Sequence, residues 1–179
     1  WTQTLGPNRQ VGYLGGNFSG DNTSDVACID VDDSDTPYAF VTSGPGRSSA
    51  DQFNWNSSLR RSNNQLTFYF LSGDYNADGR TDIAYLYIDA GADENDVRVK
   101  LTYGPDGTLV TGDASDWQLL GERNSAFIAG DYLGSDSADD IAAISDAGSG
   151  NFTTRFFRAP NGVYNPAENW TIPSLAGDT

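Results

Sequence analysis

Apolar residues along this chain fall in short runs of strand length, divided by stretches of Gly, Asn, Ser, Asp and Thr. Such punctuation predicts many strands joined by polar turns. Runs at 11–14, 66–71 and 126–129 each lead into an acidic stretch, and runs at 26–31, 83–88 and 141–144 each leave it. Within the second set, Ile83-Ala84-Tyr85-Leu86-Tyr87-Ile88 is apolar at every position. A strand with one wet face would alternate, so these runs predict strands covered on both faces. A polar, mostly acidic loop follows each (30–35, 89–96, 146–151), and then a third strand that ends in a tight turn. The turns read Gly44-Pro45-Gly46, Gly104-Pro105-Asp106-Gly107 and Ala159-Pro160-Asn161-Gly162, and Pro before Gly or Asn suits hairpin dihedrals. A fourth strand is expected to open on tryptophan, at 1–5, 55–59, 117–120 and 170–175.

Laid against itself, the chain superposes three times. Gly16-Asn17-Phe18-Ser19-Gly20-Asp21-Asn22-Thr23-Ser24-Asp25 aligns with Gly73-Asp74-Tyr75-Asn76-Ala77-Asp78-Gly79-Arg80-Thr81-Asp82, and both align with the stretch from Gly130-Asp131-Tyr132 to Asp140. The leading glycines stand 57 positions apart both times, and the third loop carries one extra residue. This period makes the chain a single repeat domain with units near 6–59, 60–120 and 121–175. Four strands per unit, in sheets that need cover on both faces, predict an all-β fold of three four-stranded propeller-blade repeats. A β-trefoil is the rival, although its units are usually shorter.

Propellers typically close with about four to eight blades, so three cannot close alone. The expectation is a partial β-propeller, either a piece of a longer chain or one completed by a homo-oligomer. An opening on Trp1 in place of Met fits a mature form or a fragment.

The formal charge is −15, with 25 acidic residues against ten basic ones. Such a surface repels phosphate backbones and anionic membranes, so no nucleic acid is expected as a partner. No stretch approaches the roughly 18 apolar residues of a membrane-spanning helix, so no membrane insertion is expected. The chain has no histidine, which removes Ser-His-Asp triads and His-based zinc sites from its repertoire. Its one cysteine, Cys28, sits in the run Val26-Ala27-Cys28-Ile29 and reads as a small buried hydrophobe.

Much of the acidic surplus sits in short clusters, the three repeated loops among them, which brings cation binding into play. The middle loop, Asp74-x-Asn76-x-Asp78-Gly79-x-x-Asp82, offers oxygens at positions one, three, five and nine. The Arg80 carbonyl can add another at position seven. Hard calcium takes roughly six to eight oxygen ligands at about 2.3–2.6 Å. Gly79 permits the left-handed turn that wraps an ion. The other reading of this loop is a solvated acidic turn. The first loop presents Asn17, Ser19, Asp21 and Asp25, with the Thr23 carbonyl at seven and Asn22 at the glycine position. Asn tolerates the left-handed conformation. The third presents Asp131, Asp136 and Asp140 beside Asp139, but its insertion breaks the spacing and Leu133 offers no side-chain oxygen.

The pattern Phe70-x-x-Gly73-Asp74-Tyr75-Asn76-x-Asp78-Gly79-x-x-Asp82-Ile83-Ala84 resembles the FG-GAP repeats, also called VCBS repeats, of integrin-like β-propellers. The resemblance covers the whole chain at the level of period. It implies calcium in the loops, stiffening each blade, and a secreted or extracellular setting. Members include adhesion receptors, fungal lectins and appendages of secreted enzymes and toxins, so the resemblance does not fix a role.

Three functions are open. One is a lectin-like module that binds glycans between blades, since sugar sites need a flat aromatic face beside directed hydrogen bonds. Trp55, Trp117 and Tyr103 are its candidates, with Tyr38, Tyr164 and Trp170 behind them, although tryptophans recurring in register also suit blade packing. The second is a structural or protein-interaction piece of a larger adhesin, toxin or enzyme. The third, a glycosidase with two carboxylates, is disfavoured because most acidic residues belong to the candidate metal loops or to the acidic loops after the second strands. The chain is therefore expected not to be an enzyme.

Overall fold

The structure is a computed structural model. It describes residues 11–31, 37–42, 52–55, 65–89, 97–103, 108–109, 125–134, 137–148, 150–159, 163–164 and 170–173. Among them there is no helix, and the strands form three separate antiparallel sheets. Sheet 1 is a meander of β1 (Val11–Gly16), β2 (Asp25–Val31), β3 (Pro37–Thr42) and β4 (Gln52–Trp55). Sheet 2 repeats it with β5 (Gln65–Gly73), β6 (Asp82–Asp89), β7 (Val97–Tyr103) and β8 (Thr108–Leu109). Sheet 3 has β9 (Ala126–Gly130), β10 (Asp140–Gly148), β11 (Asn151–Arg158) and β12 (Val163–Tyr164), with β13 (Trp170–Pro173) also paired to β11. Among the described residues no sheet closes into a barrel.

The first two strands of every sheet flank an acidic loop in one register. Gly16 stands opposite Asp25, Gly73 opposite Asp82, and Gly130 opposite Asp140. The sheets stack face to face in chain order. Ala27, Ile29 and Val41 of sheet 1, with Phe18 from its loop, pack against Ile83 and Tyr85 of sheet 2. From the opposite face of sheet 2, Leu71, Leu86, Val99 and Leu101 pack against Phe127, Ile141, Ala143 and Phe157 of sheet 3. Neighbouring side chains of a strand point to opposite faces, so β6 feeds both cores at once.

Cover on both faces is therefore found for β6, where every residue from Ile83 to Ile88 is buried. The outer sheets differ from expectation. Val26 is exposed on β2, and Ile144 is half-buried on β10, because each outer sheet has a described neighbour on one side alone. Cys28 is buried, as the sequence implied.

One fourth strand needs correcting: β4 ends at Trp55 instead of starting there. In sheet 2 the described fourth strand is Thr108–Leu109, and the strand expected at 117–120 lies outside the described residues. β13 opens on Trp170 as expected. Trp1, Trp117 and the three tight turns, apart from Ala159, lie outside the described residues.

Candidate metal centres

Each acidic loop is closed by its last aspartate, a buried residue whose Oδ2 reaches back to the start of the loop. Asp25 Oδ2 accepts from the Ser19 N–H at 2.7 Å, and Asp82 Oδ2 from the Tyr75 N–H at 3.1 Å. Asp140 Oδ2 accepts from the N–H groups of Tyr132 and Leu133 at 3.2 and 3.0 Å. Hydrogen bonds of this kind satisfy backbone donors that no strand partner reaches.

In the middle loop the backbone curls around its side chains. Asp74 Oδ1 and Oδ2 accept from the N–H groups of Asp78 and Gly79 at 3.1 and 2.8 Å. Asn76 Oδ1 also accepts from Asp78 N–H at 3.0 Å, and Asp78 Oδ1 from Arg80 N–H at 2.9 Å. The turn needs left-handed backbone at Ala77 (φ 59°) and Gly79 (φ 82°).

The first loop repeats both conformations at Gly20 and Asn22 (φ 78° and 64°), so Asn22 does take the glycine's place. Asp21 Oδ1 accepts from the Thr23 N–H and hydroxyl. Its other donors are left differently from those of the middle loop. Asn17 Oδ1, Ser19 Oγ and Asp25 Oδ1, at positions one, three and nine, are all buried with no hydrogen-bond partner. A buried oxygen without a partner costs about 1–3 kcal/mol, and three in one loop of roughly ten residues suit a bound cation.

The third loop absorbs its extra residue between Gly134 and Ser137, which hold the two left-handed positions at φ 58° and 65°. Asp131 is exposed and its Oδ1 accepts from the Gly134 N–H at 2.8 Å. Asp140 is buried at the loop's end, and Asp136 lies outside the described residues.

Among the described residues no three acidic side chains are gathered into a metal cage. Any ion would be held by a mixed set: the Asn17 amide, the Ser19 hydroxyl, the Asp21 and Asp25 carboxylates and the Thr23 carbonyl. Hard, flexible calcium accepts such a set, whereas softer transition metals favour nitrogen and sulfur. The same positions in the middle loop are Asp74, Asn76, Asp78, the Arg80 carbonyl and Asp82.

Of the aromatic candidates, Trp55 ends β4 opposite Ala39, and Trp117 lies outside the described residues. Tyr103 is half-buried against the core between sheets 2 and 3. Burial, and then the charges of Asp82 and Asp78, push its phenol up to about 12. Sequence reasoning passed over Tyr69. It is exposed on β5 with its ring centroid 6.3 Å from that of Phe127 on β9, so it marks the junction of two sheets. A one-residue slip in the β5–β6 register between Thr67 and Tyr69 re-aims it.

Comparison with known proteins places nothing beside this chain: no family model, no curated protein and no solved structure matches it.

Proposed function

We propose that the chain is a calcium-stabilised, non-catalytic extracellular binding module built as part of a β-propeller. The observation that carries the reading is the trio Asn17 Oδ1, Ser19 Oγ and Asp25 Oδ1, each buried without a protein partner. Calcium would supply the missing partner and tie the two ends of the loop together. Glycans are the ligand class proposed for it, on the strength of Tyr69 at the junction of sheets 2 and 3. The second reading, a spacer or protein-interaction piece, draws on the interloop contacts that join the sheets.

Ser19→Ala tests the calcium reading through a change of sign. In calcium it removes a ligand and should lower the melting temperature. In excess chelator it removes an unsatisfied buried hydroxyl, so it should be neutral or slightly stabilising. For the parent chain, calcium at about a hundredfold over its dissociation constant should add roughly 2.7 kcal/mol per site, lost on chelation. A melting temperature indifferent to calcium would sink the reading. A glycan array with and without calcium then separates the two functions, a blank array favouring the spacer.

A further inference from the structure

The three acidic loops are linked in series by one recurring pair of hydrogen bonds. Asn17 N–H donates to Thr81 Oγ1 at 2.8 Å, while Thr81 N–H donates to the Asn17 carbonyl at 3.0 Å. One repeat further on, Asp74 N–H donates to Asp139 Oδ2 at 2.7 Å, and Asp139 N–H donates to the Asp74 carbonyl at 2.7 Å. In each case the first residue of one loop meets the residue before the closing aspartate of the next. A glycine precedes the first residue both times. A Cβ on Gly16 would run into the Thr81 side chain, and one on Gly73 would lie 3.0 Å from Asp139.

Following the series to its ends leaves two positions unused. Asp131 in the third loop holds the place of Asn17 and Asp74, and Gly130 precedes it. Ser24 in the first loop holds the place of Thr81 and Asp139. Both residues are exposed.

The outer sheet faces also expose large apolar side chains. On sheet 1, Tyr13 and Val26 are 68% and 50% exposed. They occupy the register positions of Phe70 and Ile83, which pack against sheet 1 from sheet 2. On sheet 3, Ile128 and Phe152 are 44% and 46% exposed. They occupy the positions of Leu71 and Val97, which pack against sheet 3 from sheet 2. The free face of sheet 3 is thus of the kind that accepts the free face of sheet 1.

We infer that a second copy of this chain docks head to tail, its sheet 1 covering sheet 3 and its Ser24 meeting Asp131 through the recurring pair of bonds. Repeating the contact closes two copies into a ring of six sheets, within the about four to eight that propellers use. Three copies would give nine and exceed it. A closed ring leaves neither apolar face in water. The inference rests on the propeller reading above but not on calcium, so the two can fail separately.

Sedimentation equilibrium at physiological ionic strength in calcium should give twice the 19.2 kDa chain mass. Val26→Asp on one face and Ile128→Asp on the other should each yield the single-chain mass. Mixing the two variants should recover a two-chain species, since one intact contact remains between them. Both side chains are exposed in the single chain, so circular dichroism should report an unchanged fold. Independently, mixing Ser24→Cys chains with Asp131→Cys chains should form a disulfide-linked pair under mild oxidation, which neither forms alone. A single-chain mass at every concentration overturns the inference, as does loss of assembly from one face alone, the mark of a symmetric face-to-face contact. In either case calcium-dependent melting would still report on the loops.

Discussion

Ala77 holds φ at 59°, where the equivalent residues of the first and third loops are Gly20 and Gly134. A left-handed residue with a Cβ costs about 1–2 kcal/mol. Ala77→Gly would relieve that and give back about 0.4–1 kcal/mol as unfolded-chain entropy. A net gain of roughly 0.5 kcal/mol is expected, visible as a higher urea midpoint with an unchanged slope. Tyr103 carries a second residue-scale prediction. Its phenol is raised from 10.0 to about 12, first by burial and then by Asp82 and Asp78. Between those values the folded chain keeps a proton that the unfolded chain has lost. This contribution to stability is therefore intact below pH 10 and disappears as pH climbs through about 12. An alkaline titration followed by tyrosinate absorbance should show a late-ionising group that Tyr103→Phe removes.

At the scale of the element, the loop is a unit closed by its last aspartate and fastened to its neighbour by its first residue. The sequence located all three loops and the left-handed role of Asn22, because side-chain oxygens and turn residues recur at fixed offsets. By spacing, the middle loop fits a metal-binding pattern most completely, whereas an insertion breaks the third. The structure moves attention to the first loop, whose oxygens at positions one, three and nine stay unpartnered while those of Asp74 are taken by backbone amides. Which oxygen meets an amide depends on how the backbone curls, and spacing does not report that. The contact between loops predicts a contrast of two adjacent glycines. Gly16→Ala would drive its Cβ into Thr81, while Gly15→Ala meets nothing within 4 Å. The first should cost more than about 1 kcal/mol and the second stay within about 0.5 kcal/mol, measured by thermal melting in chelator.

For the whole molecule, position in the stack decides what a side chain is worth. Ile83 and Val26 are the second residues of equivalent strands, yet Ile83 is fully buried between sheets 1 and 2 while Val26 is half exposed. Ile83→Ala should therefore cost about 2–5 kcal/mol, cavity included. Val26→Ala should cost a few tenths in the single chain and more wherever a second copy covers it. Denaturant melts at low and high protein concentration distinguish the two contributions.

Apolar runs, glycines and aspartates at fixed offsets determined by themselves the three sheets, their first two strands and the loops between them. Each of those features depends on neighbours a few residues apart or on a partner strand across a short turn. Only the tertiary structure decided that β6 is covered on both faces along its whole apolar run, that β4 ends at Trp55, and that Asn17 meets Thr81 across 64 positions. Those facts depend on which sheet lies against which, and three near-identical units give no local signal of which is in the middle.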